Sequence, residues 1–155
     1  MTRMTAPTIT LSKEERRTFF DALKMLHGHR CPMSILGARL GLAARAHVGR
    51  HGESGDVTAL YHHQTCAIDG IQLALGTTGG NKNIEARPEG EHRLTATNKT
   101  KRMYITVRLS EEALRRGKEY AELRSAGGDP VKMEEILLGL EEALEEELVE
   151  VLERI

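Results

Sequence analysis

Val57-Thr-Ala-Leu-Tyr-His-His-Gln-Thr65 reads as a strand, and Cys66-Ala-Ile-Asp-Gly-Ile-Gln-Leu-Ala-Leu-Gly76 follows it as a short helix that Gly76 ends. Downstream, Thr77-Thr-Gly-Gly-Asn-Lys-Asn83 is a loop of turn formers. Strands are expected near Ile84–Ala86, His92–Thr97 and Met103–Arg108, with turns at Pro88-Glu-Gly90 and Asn98-Lys99. Upstream, Ser12 with Glu15 three residues on forms a capping box. Phe19, Leu23 and Leu26 then carry helical spacing, which predicts a helix over about 13–25. His27-Gly28-His29-Arg30-Cys31 is a turn, and Pro32 suits the first position of a second helix running to about Val48. Gly37 and Gly41 cost helix propensity, and their spacing marks a face where another backbone comes close.

Ser110, Glu111 and Glu112 open a further helix to about Arg124, and Ser125-Ala-Gly-Gly-Asp-Pro130 breaks it. The last segment, 131–155, is expected to be one long acidic helix. Met133, Leu137, Leu140, Leu144, Leu148, Val151 and Ile155 alternate steps of four and three along it. That seam suits docking on the body of the domain, or pairing with a partner helix in a dimer. Helices, strand, helix, strands and helices in that order point to an α+β layer structure rather than a doubly wound parallel sheet.

The 155 residues fit one domain, 1–155, long enough to bury a core without disulfides. A net charge of -1 and the lack of a basic patch with aromatics argue against nucleic acid. Trp is absent, so Leu, Ile, Val, Ala and Met must build the core. The polar, Thr-rich start (Met1 to Leu11) lacks a signal-peptide apolar run, and no stretch could span a bilayer, which gives a cytoplasmic expectation. Two cysteines make neither a disulfide framework nor a four-cysteine zinc ribbon.

In an extended segment, His27, His29 and Cys31 would point to one side, with Gly28 giving room. Cys31 precedes a helix whose first-turn N–H groups favour thiolate. Cys66 repeats the arrangement: His62 stands four residues before it, and Asp69 one helical turn after it. Imidazole and thiolate together suit zinc, nickel or iron. A buried cysteine alone is ordinarily a small apolar core residue. His51, His63 and His92 read as surface residues. The loop Gly76–Asn83 is a second candidate: its N–H groups and Lys82 could bind an anion, or it simply turns the chain into the sheet. It lacks the Gly-Lys-Ser/Thr ending of a Walker loop.

Four motifs occur in order over about 19–104: His27-Gly-His-Arg-Cys-Pro32; Gly37 with Arg39; Cys66-Ala-Ile-Asp-Gly-Ile-Gln72; and Gly76-Thr-Thr-Gly-Gly-Asn-Lys-Asn-Ile84. Together they resemble the FmdE family, a domain named for genes beside those of molybdenum formylmethanofuran dehydrogenase in methanogens. The resemblance implies a mixed β-sheet flanked by helices, with a distantly thioredoxin-like core, and a homodimer. It also implies a pocket of His27, His29, Cys31, Cys66 and Asp69, with Gln72 behind. Members commonly have Gly after Cys-Pro, where this chain has Met33, a larger side chain that would narrow the pocket. No cysteine remains after Tyr104, so the C-terminal zinc finger of longer members is absent.

Three functions follow. The first is a metal-binding domain, with His27, His29, Cys31 and Cys66 as ligands to a divalent transition metal (zinc first, nickel or iron as alternatives) and Asp69 orienting a ligand. The second is metal-free thiol chemistry at Cys31 or Cys66, with His29 or His62 as base, or a reversible disulfide between the two cysteines. The third is a non-catalytic subunit that docks on a redox enzyme through its last helix.

Overall fold

In a computed structural model, which describes residues 9–155, the chain forms six helices and five strands. The polar start read from the sequence lies largely outside the described residues. Helix α1 (Lys13–His27) begins with the expected capping box at Ser12 and Glu15. Helix α2 (Pro32–Val48) has Pro32 at its first position. Strand β1 (Val57–Tyr61) leads through a turn into α3 (Ala67–Leu75), and β2 (Ile84–Ala86), β3 (Arg93–Asn98) and β4 (Met103–Leu109) follow. The α+β class is as the sequence implies, with a five-stranded mixed sheet ordered β2-β1-β3-β4-β5. Only β1 and β2 run parallel, joined through α3, while β1–β3, β3–β4 and β4–β5 are antiparallel.

The C-terminal third departs from the expected single long helix. After α4 (Glu111–Ser125) come α5 (Pro130–Glu142), a short α6 (Glu145–Leu148) and an edge strand β5 (Val149–Arg154). The period-two pattern of Val149 and Val151, both buried, outweighs the helical seam because β4 presents an open ladder for it to pair with. Leu137, Leu140 and Leu148 are buried in the core, while Leu144 and Ile155 stand exposed. Much of the seam is thus consumed within the fold.

Buried Arg39 fixes the α5–α6 corner. Its guanidinium donates to the carbonyls of Leu140, Glu141 and Ala143, ending α5, and pairs with buried Glu145. Burial pushes the Glu145 carboxyl up, while Arg39 acts in the opposite direction.

Helix α2 is buried on almost every side from Ser34 to Ala44, between the sheet and α3, α4 and α5. Its closest neighbour is α3. A Cβ on Gly37 would fall 2.1 Å from the Ala67 carbonyl oxygen, and one on Gly70 would fall 2.2 Å from the Ala38 nitrogen. Gly41 meets Ala74 and Ile71 one turn further along. Contacts that climb both helices together mean that α2 and α3 run parallel, so their N-terminal ends lie side by side. Among the described residues, no helix is long and apolar enough to cross a membrane.

Candidate metal centre

Three chain turns deliver the site. Helix α1 ends at His27, and Gly28 reverses the chain in a left-handed conformation, φ 91°, that an L side chain rarely adopts. The extended reading of His27, His29 and Cys31 therefore gives way to a helix end, a turn and a helix start. Cys31 is the N-cap of α2. Its sulfur accepts the Ser34 backbone N–H at 3.4 Å and lies 3.2 Å from the Ser34 hydroxyl. Cys66 takes the equivalent position before α3, without a side-chain capping bond.

Because α2 and α3 run parallel at glycine contact, the two sulfurs converge. One ligand atom each from His27, Cys31 and Cys66 lies within 4.8 Å of the others. Atoms bound to one tetrahedral zinc, with Zn–S about 2.3 Å and Zn–N about 2.0–2.1 Å, lie roughly 3.5–3.8 Å apart. A small contraction of the observed group would suffice. Cys31 is buried and Cys66 exposed, which leaves an approach from solvent.

The charge pattern of the group suits a cation. Partial burial, the neighbouring Cys31 and Asp69 push the Cys66 thiol up, in that order. Two sulfurs and a carboxylate at close range resist sharing negative charge, and a bound cation removes that conflict. The His27 ring is arranged correspondingly. Its Nδ1 lies 2.7 Å from Asp69 Oδ2, while its Nε2 is buried with no hydrogen-bonding partner. A carboxylate on one imidazole nitrogen is the usual support for a metal on the other. The donor set and the orphaned nitrogen fit a divalent transition ion, so the His/Cys/Cys cluster could hold one.

The other expected residues lie further out. His29 is exposed and outside the three-atom group, with its ring packed 4.7 Å from that of His27. Asp69 stands behind His27 rather than among the sulfurs. His62 is turned away: it is buried, and its Nδ1 lies 3.0 Å from Glu89. His51, His63 and His92, expected at the surface, are all half-buried. His51 accepts the Val57 N–H, and the rings of His63 and His92 lie 4.9 Å apart. Ser34 escapes the sequence reading, although a hydroxyl three residues after an N-cap cysteine is the capping-box spacing and signals it. In the Gly76–Asn83 loop, the N–H groups of Thr78, Gly79, Asn81 and Asn83 already bond within the protein. That use favours the chain-turning role over an anion cradle.

The fold and the cluster together define a class: a mixed-sheet α+β domain with a His/Cys/Cys group where two parallel helices begin. A profile described as "FmdE, Molybdenum formylmethanofuran dehydrogenase operon" matches residues 26–154, and the chain belongs to that family. A solved FmdE-like protein of the tungsten formylmethanofuran dehydrogenase type, from Syntrophus aciditrophicus, shares the fold, at a TM-score of 0.62 and 18% identity. The match covers 100% of this chain and 77% of that one. A probable S-adenosyl-L-methionine-binding protein from Archaeoglobus fulgidus is 30% identical over 107 residues, which are 64% of this chain. The chain spans 29% of that relative's length.

Proposed function

We propose that this chain is a metal-binding domain in which His27, Cys31 and Cys66 hold a divalent transition ion, zinc by preference and nickel or iron as alternatives. The convergence of their three ligand atoms within 4.8 Å carries the reading. Three protein ligands leave a fourth position, as in catalytic rather than structural zinc sites. When bound, the ion supplies a Lewis acid there.

The protein's own groups have distinct tasks. Asp69 holds the His27 ring at Nδ1, which leaves the buried Nε2 to the ion. Ser34 steadies the Cys31 sulfur. Exposed Cys66 closes the group from the solvent side, and His29, packed on His27, can serve as a fourth ligand or as a proton carrier. Family membership supports an association with formylmethanofuran dehydrogenase systems, and a role as an accessory or enzymatic domain there is part of the proposal.

Metal analysis of protein purified without a histidine tag tests it. About one equivalent in the wild type, lost in Cys66→Ser and His27→Ala, is expected; a wild type that stays empty after zinc and nickel are offered defeats it.

The close approach of the two sulfurs favours a second reading, a reversible Cys31–Cys66 disulfide. Thiol counting before and after mild oxidation separates it from the first: zinc should protect both thiols only if the first holds.

A further inference from the structure

Gln72 is wired to the three clustered residues through Asp69. The Gly79 backbone N–H lies 2.9 Å from Gln72 Oε1, Gln72 Nε2 lies 3.1 Å from Asp69 Oδ1, and Asp69 Oδ2 lies 2.7 Å from His27 Nδ1. The chemistry of these groups fixes every direction from the outer end. A backbone N–H can only donate, so the side-chain oxygen of Gln72 must face Gly79. Its NH2 group then faces Asp69, which must accept. With one oxygen engaged by Gln72, the other accepts the Nδ1–H of His27. The imidazole is left with its lone pair on Nε2, the buried nitrogen that has no partner.

The outer end is itself braced. The Asn81 side chain accepts the N–H groups of Thr78 and Asn83 and donates to the Gly76 carbonyl, which holds the loop that presents Gly79.

We infer that Gln72 is a positioning residue through which the Gly76–Asn83 loop selects the His27 tautomer that can bind the ion. The inference rests on the metal reading above and deepens it. The loop's polar sequence thereby has a task without binding any ligand of its own: it sets the readiness of a site it does not touch.

The test uses Gln72→Glu, Gln72→Leu, Asn81→Ala and Gly139→Ala in the full chain, with two readouts. The first is zinc affinity by competition with a chromophoric chelator. The second is the 15N shifts of the His27 ring in zinc-free protein, which report the tautomer directly. Gln72→Glu is the discriminating change, because it keeps the shape and still accepts from Gly79 but has no N–H for Asp69. It should bind zinc about 10–100-fold more weakly, as outer-shell changes do, and Gln72→Leu should behave alike. Asn81→Ala, an exposed loop change, should weaken binding in the same direction. In all three, the His27 ring should lose its uniform Nδ1–H signature.

Gly139→Ala, in α5 and outside this relay, has nothing within 4 Å of its Cβ, so it should match the wild type in affinity and tautomer. Wild-type affinity and tautomer in Gln72→Glu overturn the inference. A wild type that binds no metal defeats the metal reading instead, and the nitrogen shifts then still decide whether Gln72 sets the tautomer.

Discussion

Replacing Gly37 with alanine tests how the fold makes the site. The added methyl would sit 2.1 Å from the Ala67 carbonyl oxygen and 2.4 Å from its Cα, both backbone atoms that no rotamer change can move. Ordinary contact begins at 3.4 Å, so α2 and α3 would have to part by about 1.3 Å. Overpacking of this kind costs about 3 kcal/mol or more when the obstacle is backbone, and alanine returns about 1 kcal/mol of helix propensity. The net expectation is a loss of about 2 kcal/mol.

The parting also acts at the N-terminal ends, where the same two helices carry Cys31 and Cys66. A displacement near 1 Å should lower zinc affinity at least tenfold, because ligand constellations tolerate only about 0.5 Å. Urea unfolding and chelator competition measure the two effects. Gly139→Ala in α5 is the control: nothing lies within 4 Å of its Cβ, so it should gain about 0.5–1 kcal/mol. A Gly37→Ala protein as stable as Gly139→Ala, with unchanged zinc affinity, would refute the claim that helix contact sets the sulfur spacing.

Three further outcomes follow. Arg39→Met should cost about 3–5 kcal/mol in urea unfolding, since it strands the Leu140, Glu141 and Ala143 carbonyls and leaves Glu145 buried without its partner. Val149→Asp should cost about 3 kcal/mol or more because Val149 is fully buried in a strand, whereas a helix in the expected seam would leave that position off its apolar face; unfolding within about 0.5 kcal/mol of wild type would restore the helix. Burial, then the neighbouring His63, holds the His92 imidazole below its ordinary value of 6.5. The folded state therefore binds fewer protons than the unfolded one below pH 6.5. This contribution is complete above 6.5 and is lost as pH falls through the lower folded value. Stability should fall between pH 7 and 5, and less so in His92→Gln.

Local signals in the sequence reached most of the fold. The Ser12 and Ser110 caps, Pro32 and the Gly76 stop placed four helices, and Gly37 with Gly41 marked the α2–α3 contact. The C-terminal strand was hidden because Leu148 and Val151 serve a helical step of three, while Val149 and Val151 serve a strand step of two. Only the unpaired edge of β4, a tertiary feature, decides between them.

At the site, His27, Cys31 and Cys66 were legible because the residue types suit metals and two of them open helices. The place of His29, exposed beside His27 and outside the three-atom group, was not, because it depends on the left-handed Gly28 that ends α1. The contact of Asp69 with His27 was not legible either, because it depends on where α1 ends relative to α3, which no spacing within one segment reveals.

X-ray anomalous scattering from an unsoaked crystal, measured across the absorption edges of zinc, nickel and iron, tests the central claim most directly. A single peak bounded by the sulfurs of Cys31 and Cys66 and the Nε2 of His27 is the expected result. Density that places those sulfurs well apart, or a site still empty after zinc is supplied, would contradict it.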